Sequence, residues 1–278
     1  MSAALLFAGL VCLSTPLVLD NGAVQVVVEP ELFAITSIRA GSGTDFVEAL
    51  PRSPDAVRSG AWMDPGGLVT DVLPVGEGDA ALRRGPARVV EQRSNHLTLE
   101  GPVSRSTGLT LTKEITLAPP GEPTARFRVT VTSTLSATQR LYVRNAARVP
   151  IRSTLRMAKR DDTIRPLAGT DSIYPAVVKS RDYWLVPVPP TATMKGVVLG
   201  ALMPDLREER AYVTWVRRPV PTPGTAIDYD HGSNVVCLLD SKTRTFGAVL
   251  QSALADVDAS TPLVFEEEWH FEKRGRRN

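Results

Sequence analysis

The feature that most constrains this chain is a strict two-residue alternation. In Leu109-Thr-Leu-Thr-Lys-Glu-Ile-Thr-Leu117, Leu109, Leu111, Ile115 and Leu117 share one side, and Thr110, Thr112, Glu114 and Thr116 the other. The next stretch repeats the pattern, setting Phe127, Val129, Val131 and Leu135 against Arg126, Arg128, Thr130 and Thr132. A period of two suits a strand with one face buried and one in water; a helix would need a period of 3.6. Between the two stretches lies Ala118-Pro-Pro-Gly-Glu-Pro123, whose prolines cannot donate to a ladder, so the pair reads as a hairpin with a mid-length loop.

Further strands are predicted over Ala23–Val28, Leu32–Ala40, Ala87–Gln92, His96–Glu100, Arg140–Val149, Lys195–Met203, Ala211–Arg217, Val235–Leu239, Thr245–Ser252 and Leu263–Phe271. Turn signals such as Asp20-Asn-Gly22, Pro65-Gly-Gly67 and Asp230-His-Gly232 separate them. No stretch sustains a helical period, and Ala168–Val178 and Met203–Arg210 are each expected to hold one short helical turn. Many strands with almost no helix predict an all-β protein, a large antiparallel β-sandwich. Nothing reads as a linker or a short-period repeat, so a single domain over residues 15–278 is expected.

Residues 1–14 read differently. Met1 to Leu19 carries no charged side chain, and Ala3–Leu13 is small and apolar, too short to span a bilayer but the right length for a signal-peptide core. Cleavage after Ser14 would place Cys12 and Ser14 at the small-residue positions, although a basic leading segment is missing. The expectation is a periplasmic or secreted protein with no membrane span after processing. The alternative is a cytoplasmic protein whose first element is buried.

Charge and motif content exclude several classes. The balance of 32 basic and 30 acidic residues, +2 overall, has no concentrated positive field, so no nucleic-acid partner is expected. There is no Cys-x-x-Cys, no His-x-x-x-His, no Gly-x-Ser-x-Gly and no glycine-rich phosphate loop, so neither a metal nor a cofactor is expected. With Cys12 in the leader, Cys237 stands alone in Asn234-Val-Val-Cys-Leu-Leu239 and reads as a small buried hydrophobe.

Three stretches carry a resemblance. Leu19-Asp-Asn-Gly-Ala-Val-Gln-Val-Val-Val-Glu-Pro-Glu31 resembles the first strand pair of galactose mutarotase-like proteins, and more narrowly of an uncharacterised bacterial family among them. Leu97 to Leu117 is similar to that family's central strand–loop–strand signature, and Pro262-Leu-Val-Phe-Glu-Glu-Glu-Trp269 to its closing strand. The resemblance implies a supersandwich of antiparallel sheets with a carbohydrate cleft on one sheet face. It also implies a reaction, ring opening and closure of an aldose, which needs a base for the anomeric hydroxyl and an acid for the ring oxygen. Mutarotases use a glutamate and histidines. Where their mid-chain histidines lie, this chain has Leu141-Tyr-Val-Arg-Asn-Ala-Ala-Arg-Val149, and the family's Gly-Gly segment reads Gly60-Ala-Trp-Met-Asp-Pro-Gly-Gly67.

Candidate site residues follow from this. Glu267 alternates with Phe265, Trp269 and Phe271, on the inner or cleft side of the last strand. There it is either a general base or half of a structural ion pair. His231, in the polar turn Tyr229-Asp-His-Gly-Ser-Asn234, is the candidate acid, while His96 and His270 read as parts of solvated strand faces. Trp62, Asp64, Arg144, Asn145 and Trp184 are the candidate sugar-binding groups, tryptophan because pyranose faces stack on aromatic rings. Trp215 reads as core. Three functions remain open: a carbohydrate-binding protein, an aldose 1-epimerase, or an envelope structural or protein-interaction module. The sugar and the oligomeric state are left open.

Overall fold

In the computed structural model the two alternating stretches are strands Leu109–Leu117 and Thr124–Ser133, paired antiparallel in the expected register, with Ile115 opposite Phe127 and Leu111 opposite Val131. The structure describes residues 15–41, 43–47, 49, 67–74, 79–159, 164–190, 193, 196–210, 213–220, 228–240 and 244–273. The expected leader, Trp62 and Asp64 lie outside them.

Among the described residues the strands form two antiparallel sheets. The first, of eleven strands, runs in the order Leu17–Asp20, Val24–Glu29, Ala34–Ala40, Leu68–Leu73, Gln139–Arg148, Thr245–Gln251, Val235–Asp240, Val197–Ala201, Ile164–Ala168, with two short strands attached. The second, of ten, has Leu263–Lys273 at its centre, between Val213–Val220 and Thr124–Ser133. The sheets pack face to face through one continuous apolar core that includes Val143, Ala147 and Leu250 from the first and Leu111, Phe127 and Trp269 from the second. Each inward Val, Leu or Phe contributes about 1.5–3 kcal/mol by leaving water.

Local chemistry ties the layers together. Asp20 Oδ1 accepts from the Gly22 amide at 2.7 Å, closing the Asp-Asn-Gly turn, where Gly22 takes a positive φ of 83°. Asn21 then donates to the carbonyls of Ala118 and Glu122, at 3.0 and 2.9 Å, stapling a first-sheet hairpin to the proline-rich loop of the second sheet.

The structure corrects the expectation for 203–210 and adds elements that were not expected, among them the strands Leu68–Leu73, Thr154–Ala158, Ile164–Ala168 and Tyr183–Pro187. Leu206–Arg210 is a strand, not a helical turn, because Leu206 and Glu208 both point inward while it is hydrogen-bonded between two neighbours. Within 168–178 a turn does form, with the amides of Ala176 and Val177 both reaching the Ile173 carbonyl. The short helix Ala80–Arg84 was not expected; Asp79 caps it, accepting from the amides of Ala81 and Leu82.

Candidate functional site

Alternation decides which side chains meet on the outer face of the first sheet. Along Gln139–Arg148, Leu141, Val143, Asn145 and Ala147 point into the core, which sends Tyr142 and Arg144 to the other side. Register extends that face sideways: Arg144 lies opposite Gln251, and Tyr142 opposite Leu73. Val236 and Leu238 continue it from the next strand. Together they line a cleft of about 290 Å³.

The wall of this cleft comes from a bulge. The edge strand Ile164–Ala168 slips register against Val197–Ala201 between Pro166 and Ala168, so Leu167 is the extra residue. Leu167 and Ala168 both line the cleft. Leu167 can lie there because Gly200 beneath it has no side chain; a β-carbon at Gly200 would come within 2.6 Å of Leu167 Cδ1 and of Ser233 Oγ.

Over the floor hangs the turn Asp230–Gly232. His231 takes the left-handed conformation, φ 52° and ψ 21°, and Gly232 follows at φ 60°. Gln251 holds the turn, its amide nitrogen donating to the carbonyls of Asp230 and Ser233. The polar groups then form a chain. Tyr142 Oη donates to Asp230 Oδ2 at 2.7 Å and accepts from Arg144 Nη2 at 3.2 Å. His231 Nε2 stands 3.8 Å from Asp230 Oδ2, too far for a hydrogen bond, with its ring mostly in solvent. Two polar atoms in this set are buried without a partner: Arg144 Nε and Gln251 Oε1. Gln251 itself is only 1% exposed. The site thus offers an aliphatic floor, a carboxylate, a phenol, a guanidinium and an imidazole, over a buried amide that holds the turn. Among the described residues no cluster of three or more His, Cys, Asp or Glu side chains could hold a metal ion.

No protein-family model and no curated protein matches the sequence. Solved structures match nearly its whole length. An aldose 1-epimerase candidate from Escherichia coli K12 aligns over 93% of this chain and 99% of its own, at 10% identity and a TM-score of 0.65. A galactose mutarotase-like protein from Lactobacillus casei ATCC 334 aligns over 93% and 100%, at 9% identity and 0.57. An aldose epimerase homologue from C. elegans aligns over 94% and 100%, at 10% identity and 0.56. The chain has the galactose mutarotase-like fold. At such identities the likeness carries architecture and leaves substrate and chemistry to the residues themselves.

Within this mutarotase-like fold the sequence-derived candidates separate. Arg144 and His231 meet in the cleft. Asn145, one residue on, faces the core at 1% exposure, accepting from Thr70 Oγ1 at 2.8 Å and donating to Glu267 Oε1 at 3.1 Å. Glu267 is fully buried between the sheets, where Arg217 Nε and Nη2 donate to its Oε2 at 3.0 and 2.7 Å. Both therefore belong to an interior ion-pair network, because their strand positions have the inward parity; neither lines the cleft. Trp184 is also displaced: it stands on Tyr183–Pro187 in the second sheet, 92% buried, packed edge-on to Tyr174. His96 and His270 bond threonines on the outer face of the second sheet, His96 to Thr116 and Thr98, His270 to Thr124. Trp215 is core. Cys237 is buried on the inner side of its strand, and burial pushes its thiol up to about 12.

Sequence reasoning did not single out Tyr142, Asp230 and Gln251 as cleft residues. A signal was present for the first: positions 142 and 144 share a strand face that 145 cannot share. Gln251 was legible only through its register with Arg144.

Proposed function

We propose that this chain binds a carbohydrate in the cleft formed by Tyr142, Arg144, Asp230, His231 and Gln251. The observation that carries the reading is the convergence of a guanidinium, a phenol, a carboxylate and an imidazole over an aliphatic floor of Leu73, Val236 and Leu238. Polar groups gathered over an aliphatic floor fit a ligand with both hydroxyls and apolar C–H faces. A sugar ring is such a ligand. The fold shared with mutarotase-like proteins supports the same choice of ligand class.

A second reading adds catalysis. Asp230 and His231 face the same cleft, with Asp230 already tied to the Tyr142 phenol. In that reading one of them takes the proton of the anomeric hydroxyl and the other delivers a proton to the ring oxygen; the C1–O5 bond opens, C1 rotates, and the reverse steps close the other anomer. Glu267 has no part in it, since it is sealed against Arg217.

Proton NMR of a panel of freshly dissolved aldoses, with and without the purified protein, tests both readings. Broadened sugar signals that sharpen in Arg144→Ala are expected for binding. Faster anomer equilibration that is lost in Asp230→Asn supports the catalytic reading. Unchanged line widths and unchanged exchange across the panel would overturn the proposal for monosaccharides. Export of the mature chain after Ser14 is proposed with it, and mass spectrometry of the secreted protein's first residue would decide that point.

A further inference from the structure

The polar groups of the cleft are unequally satisfied, and the inequality has a sign. Arg144 has five N–H donors, of which one is used among the described residues, from Nη2 to the neutral Tyr142 phenol at 3.2 Å. Its Nε is buried and unpartnered, and among the described residues no carboxylate is within ion-pair distance of it. The other nearby arginines differ. Arg140 is paired with Asp228 at 2.5 Å and Arg83 with Asp71 at 3.0 Å. Asp230, the cleft's own carboxylate, has one oxygen taken by Tyr142.

A second guanidinium stands at the rim. Arg165 packs against Gly232 in the turn that carries His231, so closely that a β-carbon at Gly232 would lie 3.0 Å from Arg165 Nη2. It is exposed, and among the described residues it forms no ion pair. Asp71, the cross-strand neighbour of Arg144, is turned to Arg83, so two guanidiniums with no direct ion pair among the described residues flank a cleft whose remaining groups suit hydroxyls. Guanidinium forks match carboxylate and phosphate oxygens two at a time, and a partly buried arginine without a counter-ion is costly until one arrives.

We infer that the ligand is an acidic carbohydrate, a sugar bearing a carboxylate or a phosphate, whose anionic group is held by Arg144 at the floor and Arg165 at the rim. This rests on the carbohydrate reading of the same cleft and narrows it. The hydroxyls of the ring would take Asp230 and His231, and the anion would take the unused donors of Arg144.

Matched ligands test it by calorimetry on the intact protein: glucose against glucuronate and glucose 6-phosphate, galactose against galacturonate, with acetate and inorganic phosphate as sugar-free probes. At low salt the acidic sugar is expected to bind about tenfold tighter than its neutral parent, or more. That advantage should shrink at high salt, and in Arg144→Gln, which weakens binding of both sugars, the ratio of the two affinities should fall to about one. Arg165→Gln, a substitution at the exposed rim that the fold tolerates, should remove part of it. Tighter binding of the uronates alone, or of the phosphate ester alone, supports the inference and identifies the anion. Equal affinity for neutral and acidic sugars overturns it and leaves the carbohydrate reading standing. Phosphate or acetate binding as tightly as the matching acidic sugar, or no binding of any sugar, overturns both.

Discussion

Arg217 donates to a single carboxylate oxygen of Glu267 through two nitrogens, at 3.0 and 2.7 Å, in the seam between the two sheets. The same guanidinium donates to the carbonyls of Ala248 and Asn145 in the facing sheet, and it lies over the rings of Trp215 and Trp269. One buried cation therefore joins its own strand to three others, two of them in the facing sheet.

Removing one partner of such a pair strands a buried charge. Glu267→Gln is expected to cost about 3 kcal/mol of stability, read as a lower urea midpoint at unchanged slope, and Glu267→Leu more than that. Sugar affinity should stay at the wild-type value in whatever fraction remains folded. A variant with normal stability and no binding or anomer exchange would instead put Glu267 at the ligand.

Two other buried groups set a pH signature. Glu208 accepts from Ser153 Oγ at 2.5 Å; burial pushes its carboxyl up to about 8, against the Ser153 bond and the charges of Arg210 and Arg217. Lys113, whose Nζ donates to the Phe33 carbonyl at 2.7 Å, is pushed down by burial to about 7, against the attraction of Asp71. Between the ordinary carboxyl value of 4.5 and about 8 the folded chain keeps the Glu208 proton that the unfolded chain loses, so stability falls as pH rises. Between about 7 and the ordinary lysine value of 10.5 the folded chain gives up the Lys113 proton that the unfolded chain keeps, so stability rises. The expected curve falls, flattens near neutrality and climbs again, each limb on the order of 4 kcal/mol. Denaturant midpoints across this range should lose the falling limb in Glu208→Gln and the rising limb in Lys113→Met. If both variants keep the wild-type profile, neither group titrates as described.

Much of the architecture is written in the sequence wherever a strand has one wet face. Leu109–Leu117 and Leu263–Lys273 alternate cleanly because threonines and charges mark the outer side. The pattern fails for Leu206–Arg210, whose inward positions are Leu206 and Glu208. A buried carboxylate held by Ser153 looks like surface until the packing is known. The same ambiguity attached Glu267 to the cleft: its parity sets it opposite the wet face of its strand, and that side is the core between the sheets, whereas the cleft lies on the outer face of the first sheet. Arg144 and Asn145 were read as one binding set although adjacent strand residues face opposite ways. The bulge at Leu167 is not legible in the sequence, because it arises from the register slip between Pro166 opposite Leu199 and Ala168 opposite Val198.

Cys237 offers a chemical check on the core. Its thiol is fully buried and pushed up to about 12 by desolvation, so almost no thiolate exists at neutral pH. Peptide mapping after treatment with a thiol reagent should find Cys237 unmodified in the native protein, and labelled in urea along the same transition that circular dichroism follows. Rapid labelling under native conditions would mean that this strand opens locally, independent of the core.

Gly200 separates packing in the cleft from stability of the fold. Its backbone is ordinary for a strand, so alanine carries no conformational penalty there and fits the ladder better than glycine. The obstacle is steric: the new methyl would meet Leu167 Cδ1 and Ser233 Oγ at 2.6 Å. Leu167 belongs to an edge strand and is only partly buried, so it can swing away, and the direction open to it is the cleft it already lines. Gly200→Ala is therefore expected to change the unfolding midpoint by about 1 kcal/mol or less while weakening sugar binding about tenfold. Shrinking the wall in the same background, by Leu167→Ala, should restore affinity. A large loss of stability without rescue would show that Leu167 cannot move, and that the bulge supports the sheet more than it shapes the cleft.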